Sequence, residues 1–182
     1  MTAGRRGRST LTAVITLVLG GTRSGKSEVA EALAGDGGTP VTYVATGRAT
    51  DEDMAARIAR HRARRSSAWS TVEAGREGTD LPEVLARLEG PVIVDSLGTW
   101  VAGDPALAPA TAELCAVLRS RPGDTVVVSE EVGLGVHAPT EVGRRFADEL
   151  GELNRAVADL ADRVLLVVAG RVLTLDRPVE AP

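Results

Sequence analysis

Three consecutive pieces at the start of this chain limit what it can fold into. Val14 to Leu19 is an unbroken apolar run. Directly after it comes Gly20-Gly21-Thr22-Arg23-Ser24-Gly25-Lys26-Ser27, which fits G-x-x-x-x-G-K-[ST], and Ser27 to Ala34 then reads as a helix. A strand, a tight glycine loop and a helix in that order converge several backbone N–H donors and the positive end of a helix dipole on one point, which is a cradle for phosphate. Gly20 and Gly25 permit backbone angles and a close approach that a side chain would block. Lys26 would bring a compact ammonium to the β- and γ-phosphates of a nucleoside triphosphate, and the Ser27 hydroxyl would ligate Mg²⁺.

Glycine-rich strand-to-helix turns also meet this pattern by chance, and the use of cations argues against chance here. Of the 21 lysines and arginines, 20 are arginine and Lys26 is the single lysine. A point charge on a flexible stem suits a phosphate loop better than a planar fork, and lysine is kept only where that difference matters.

The length of 182 residues suits one α/β domain. Aromatic residues make up only 2%, so the core has to be built from Val, Leu and Ala. A net charge of −4 argues against a nucleic-acid coat or a membrane-surface protein. Cys115 is the lone cysteine, which excludes an internal disulfide and a cysteine-cluster metal site, and it reads as a small buried hydrophobe in a helix. Arg5-Arg6-Gly7-Arg8 followed by Leu11 to Leu19 imitates a signal peptide, but no small-x-small cleavage site precedes the phosphate loop. The expected organisation is therefore a disordered basic tail over 1–10, one nucleotide-binding and transferase domain over 11–176, and a tail over 177–182. No other stretch approaches the ~18 apolar residues of a membrane span, so a cytoplasmic protein is expected.

Further along, 40–45 reads as the second strand, and Thr46-Gly47-Arg48-Ala49 as a loop at its carboxyl end, where open α/β sheets gather their ligands. Thr50 opens a helix, with acids in its first turn and arginines in its later ones, a polarity that the helix dipole alone explains. Met54, Ile58 and His61 share one face of it. That spacing fits a semi-buried histidine sealing a helix end, and equally a nucleophile or acid/base group, kept neutral by neighbouring arginines, that works on a phosphate. Residues 69–73 read as a short edge strand ending in Glu73, and 81–88 as a helix capped by Asp80. The strand 91–95 ends in Asp95, where a phosphate-loop protein places a second acid at its Mg²⁺ shell, the alternative being a helix cap or turn residue. A helix over 111–120 and an apolar strand over 125–129 follow, and then Glu130 and Glu131, which read either as groups polarising a hydroxyl acceptor or as a solvated loop. His137 reads as a surface histidine. A long helix over about 140–162 leads into two strands joined at Gly170-Arg171, an antiparallel hairpin closing an otherwise parallel sheet.

From Leu17 to about Leu175 the chain resembles the bifunctional adenosylcobinamide kinase/adenosylcobinamide-phosphate guanylyltransferases of cobalamin biosynthesis. The markers are GGTRSGKS, YVATG, DEDMAARIARHRARR, VIVDSLGTW, SEEVGLGV and RRFADELGELNRAVADLADRVLLVVAG. The resemblance implies a three-layer, RecA-like P-loop NTPase fold. It also implies phosphorylation of the aminopropanol hydroxyl of adenosylcobinamide by ATP or GTP, then transfer of GMP from GTP to that phosphate through a GMP-histidine intermediate. His61 matches the nucleophile. The GTP-contacting positions match Gly20, Gly21, Thr22, Arg23, Ser24, Gly25, Lys26, Ser27, Ala45, Thr46, Gly47, Arg62, Ala63, Arg64, Arg65, Glu73 and Asp95. Ser27 and Asp95 are the Mg²⁺ positions expected from the phosphate-loop pattern, and the resemblance implies a homotrimer as well. Glu130 departs from the family's usual Asn and adds a negative charge beside Glu131; the arginine-rich N-terminal tail is extra.

Overall fold

The computed structural model describes residues 13–36, 38–47, 52, 59, 66–75, 80–136 and 138–177. In chain order the elements are β1 (Ile15–Gly20), α1 (Lys26–Gly35), β2 (Thr42–Ala45), β3 (Ser70–Glu73), α2 (Leu81–Ala86), β4 (Val92–Asp95), α3 (Leu97–Gly103), α4 (Thr111–Ser120), β5 (Thr125–Glu130), α5 (Glu141–Leu160), β6 (Arg163–Val168) and β7 (Arg171–Thr174). The seven strands form one sheet in the order β3-β2-β4-β5-β1-β6-β7. Only the β6–β7 pair is antiparallel. The phosphate-loop strand β1 is therefore central, and β5 separates it from the Asp95 strand β4, as the RecA-like fold requires.

Alternation along the central strands sends consecutive residues to opposite faces. Leu17 and Leu19 of β1, Val92 and Val94 of β4 and Val127 of β5 pack against α2, α3, α4 and α5. Val18, Ile93, Val126 and Val128 face the other way, toward Ala30 of α1. The result is the expected three layers, with a core of aliphatic residues as the aromatic-poor composition demands. Buried on both faces, the inner strands β1, β4 and β5 read as nearly continuous apolar runs.

Where residues are described, the strand and helix expectations hold to within a residue or two at their ends, with two differences; the helix expected to open at Thr50 lies outside the described residues apart from Glu52 and Ala59. Glu130 is the last residue of β5, paired with Gly20, and not part of a loop. Helix α3 directly after β4 is not evident in the sequence, because Gly98 interrupts the helical pattern. It forms because Ser96 caps it: the Ser96 hydroxyl accepts from the Thr99 N–H while the Thr99 hydroxyl accepts from the Ser96 N–H. The hairpin turn falls at Ala169-Gly170, one residue earlier than expected, with Gly170 at φ 71. Its Gly170 N–H donates to Ser24 O at 2.8 Å, so the antiparallel edge braces the phosphate loop.

Candidate active site

The carboxyl ends of β1, β4 and β5 bring three polar groups together. Gly20 closes β1, and a Cβ there would lie 2.8 Å from Val167 O and 2.5 Å from Ser24 Oγ, so no side chain fits beneath the loop. Gly25 takes φ 94, a left-handed angle that glycine adopts without strain, and this lets the chain turn into α1. Lys26 and Ser27 are the first two residues of that helix, and both are buried. Thr22 and Arg23 are exposed on the loop.

Lys26 Nζ donates to Gly21 O at 3.3 Å and lies 3.5 Å from Glu130 Oε1. The Glu130 carboxylate is itself anchored. It accepts from Ser96 Oγ at 3.0 and 2.8 Å and from Gly98 N at 3.1 Å, and Asn154 Nδ2 of α5 donates to the Glu130 backbone carbonyl at 3.0 Å. Beside this group, Asp95 Oδ2 accepts from Ser27 Oγ at 3.1 Å and from the Tyr43 hydroxyl.

Thr46 follows β2, and its hydroxyl is committed to the fold. It donates to Ser96 O at 2.6 Å and accepts from Ser96 N at 2.9 Å, and the Thr46 backbone N–H donates to Asp95 O at 3.2 Å. Ala45 stands level with both Asp95 and Glu73 across the strands. Glu73 ends the edge strand β3, four strand positions from β1, and at about 4.8 Å per position that is roughly 19 Å from Gly20. The structure thus joins Gly20 to Ser27 with Asp95, and sets Glu73 apart at the far end of the same edge. His61, Arg62, Ala63, Arg64, Arg65 and Arg48 lie outside the described residues, as does His137; Glu52 and Ala59, near His61 in the chain, are helical.

Sequence reasoning missed Tyr43, Ser96, Thr99 and Asn154. A serine three positions before a threonine, just past a buried strand, was the available sign of the Ser96 cap. Tyr43 and Asn154 carry no motif and are joined to the site only by sheet order and helix packing.

Residues 16–175 match the model of the CobU family, cobinamide kinase / cobinamide phosphate guanyltransferase. The chain belongs to this family. It is 41% identical over 168 residues to the bifunctional adenosylcobalamin biosynthesis protein CobP of Pseudomonas aeruginosa, covering 87% of this chain and 95% of that one. It is 34% identical over 176 residues to the bifunctional adenosylcobalamin biosynthesis protein CobU of Escherichia coli, covering 86% of this chain and 97% of that one. Among solved structures, the flagellar accessory protein FlaH of Methanocaldococcus jannaschii superposes with a TM-score of 0.50 at 15% identity, covering 87% of this chain and 74% of that one. That likeness concerns the fold alone.

The family's bifunctional activity fits the geometry described. Lys26 is only 4% exposed yet has three donors against one long carbonyl contact and one ion pair, which leaves it capacity for an anion. Asp95 and Ser27 present hard oxygen atoms side by side, the donor type that Mg²⁺ takes with phosphate oxygens. Among the described residues, no group of three or more His, Cys, Asp and Glu could hold a metal without such help. None of the described helices is long and apolar enough to cross a membrane.

Proposed function

We propose that this chain phosphorylates the aminopropanol hydroxyl of adenosylcobinamide from a nucleoside triphosphate, and then guanylylates the product from GTP through His61. The observation that carries the reading is Lys26: buried at the head of α1, under-supplied with acceptors, and beside a loop that opens on Gly20, where no side chain fits, and turns into the helix at Gly25 through a left-handed angle. In the kinase step Lys26 and the loop N–H groups hold the β- and γ-phosphates in line with the acceptor hydroxyl, and positioning with charge stabilisation supplies most of the rate.

In the transfer step a neutral imidazole nitrogen of His61 attacks the α-phosphorus of GTP. A P–N bond forms, the bond to the bridging oxygen breaks, and pyrophosphate departs. A phosphate oxygen of the corrinoid product then attacks the same phosphorus, the P–N bond breaks, and the imidazole is regenerated. The Arg62, Arg64 and Arg65 guanidiniums favour the neutral ring and hold the anionic partners. Ser27 and Asp95 would hold Mg²⁺, which when bound neutralises the phosphates and the departing pyrophosphate. Glu73, at the far end of the ligand-bearing edge, suits the ribose or base end of the nucleotide rather than its phosphates. We propose a homotrimer as the working assembly, checked by light scattering against the 18.9 kDa chain mass.

The test is labelling with GTP carrying radioactive α-phosphate. An acid-labile, alkali-stable adduct on the denatured chain is expected, absent in His61→Ala, while that variant still phosphorylates adenosylcobinamide. No adduct under active conditions would reduce the protein to a plain kinase.

A further inference from the structure

We propose that Glu130 is an internal competitor for the nucleotide: its carboxylate occupies Lys26 in the nucleotide-free protein and so sets how tightly a triphosphate binds. The inference rests on the phosphate-loop reading of residues 20–27 and adds an affinity-setting residue to it.

Glu130 Oε1 lies 3.5 Å from Lys26 Nζ, with the lysine side chain 4% and the glutamate side chain 26% exposed. A pair this sheltered from water interacts more strongly than one at the surface. The carboxylate is not free to swing away when phosphate arrives. Ser96 Oγ and Gly98 N hold it from the β4–α3 junction, and Asn154 fixes its backbone from α5.

A triphosphate that claims Lys26 therefore has two opposing terms. The ion pair is lost, and a fixed negative charge stays within a few ångströms of the incoming phosphates, beside the charge of Asp95. A neutral side chain of the same shape removes both terms. With its single carbonyl oxygen at the Oε2 position glutamine still accepts from Ser96 and Gly98, so Glu130→Gln keeps the anchoring while removing the charge and the oxygen that faces Lys26. Glu130 acts through Lys26 and is a positioning residue, not a catalytic one.

The experiment is titration calorimetry on the full chain with α,β-methylene-GTP and Mg²⁺, an analogue whose α-phosphorus cannot be transferred. Glu130→Gln is expected to bind about three- to tenfold tighter than wild type. Without nucleotide it should melt at a lower temperature, since Lys26 loses its counter-charge, and that decrement should vanish in a Lys26→Ala background. A purely structural role for Glu130 would lower stability without tightening binding. Equal or weaker binding by Glu130→Gln, with Lys26→Ala still losing affinity, overturns the proposal and leaves the phosphate loop standing. Lys26→Ala binding as well as wild type would instead remove the phosphate-loop reading, and this proposal with it.

Discussion

Among the described residues, the two ends of the sheet each bury one cation, and they use it in opposite ways. At the carboxyl end Lys26 is 4% exposed and meets one carbonyl and one carboxylate, both at long range. Where β4 and β5 begin, Arg121 is 5% exposed, and its Nη atoms donate to Gly123 O, Asp124 O, Thr125 Oγ1, Leu88 O and Gly90 O. Burial lowers the Arg121 pKa from its ordinary value, while the Asp124 charge works the other way. Equal burial therefore says little about role; acceptor supply decides it. Arg121 is a planar fork whose two Nη atoms meet four carbonyls and one hydroxyl and tie the α4 end to two loops, with only its Nε left without a partner, whereas Lys26 is a point charge with donors to spare.

The contrast is sharpest under substitution. Lys26→Ala is expected to lower both transfer rates by about a hundred- to a thousandfold, with a melting temperature close to that of wild type. Collapse of the fold on removing Lys26 would erase the distinction. Arg121→Met should do the reverse. By orphaning several carbonyls it should cost about 2–4 kcal/mol, a fall of roughly 5–15 °C in melting temperature, with kcat/KM of the folded fraction changed less than about twofold. A large kinetic defect at normal stability would place Arg121 in the chemistry after all.

Tyr43→Phe probes the boundary between the two kinds of role, since its hydroxyl joins a core strand to Asp95. The expected loss is about 1 kcal/mol of stability or less, together with a higher Mg²⁺ requirement for nucleotide binding by calorimetry; an unchanged Mg²⁺ requirement would make the hydroxyl purely structural. Cys115 supplies the smallest readout. Burial pushes its thiol pKa up against a weaker opposing effect of Arg119, so reaction with a thiol reagent should be slow in the native protein and faster in Arg121→Met, because α4 opens more often.

The phosphate loop was legible because all of its parts are contiguous. The β4 carboxylate was legible because a buried strand ending in Asp is a short-range pattern. Helix α3 was hidden by Gly98, and its Ser96–Thr99 cap, a local feature, outweighed that glycine once Trp100 and Val101 had a core to enter. Glu130 was visible as an acid but not as the partner of Lys26. Register decided this: Gly20 pairs with Glu130, which carries the carboxylate to the loop's own level.

From residue order alone came the cradle, its lone ammonium and the alternation that makes a parallel sheet, because backbone geometry, helix dipoles and strand periodicity act over a few residues. Which groups face that ammonium was settled by strand order and by α5 packing over β5. Placing Glu130, Ser96 and Asn154 around one point takes long-range burial of apolar surface, which has no signature in any single segment.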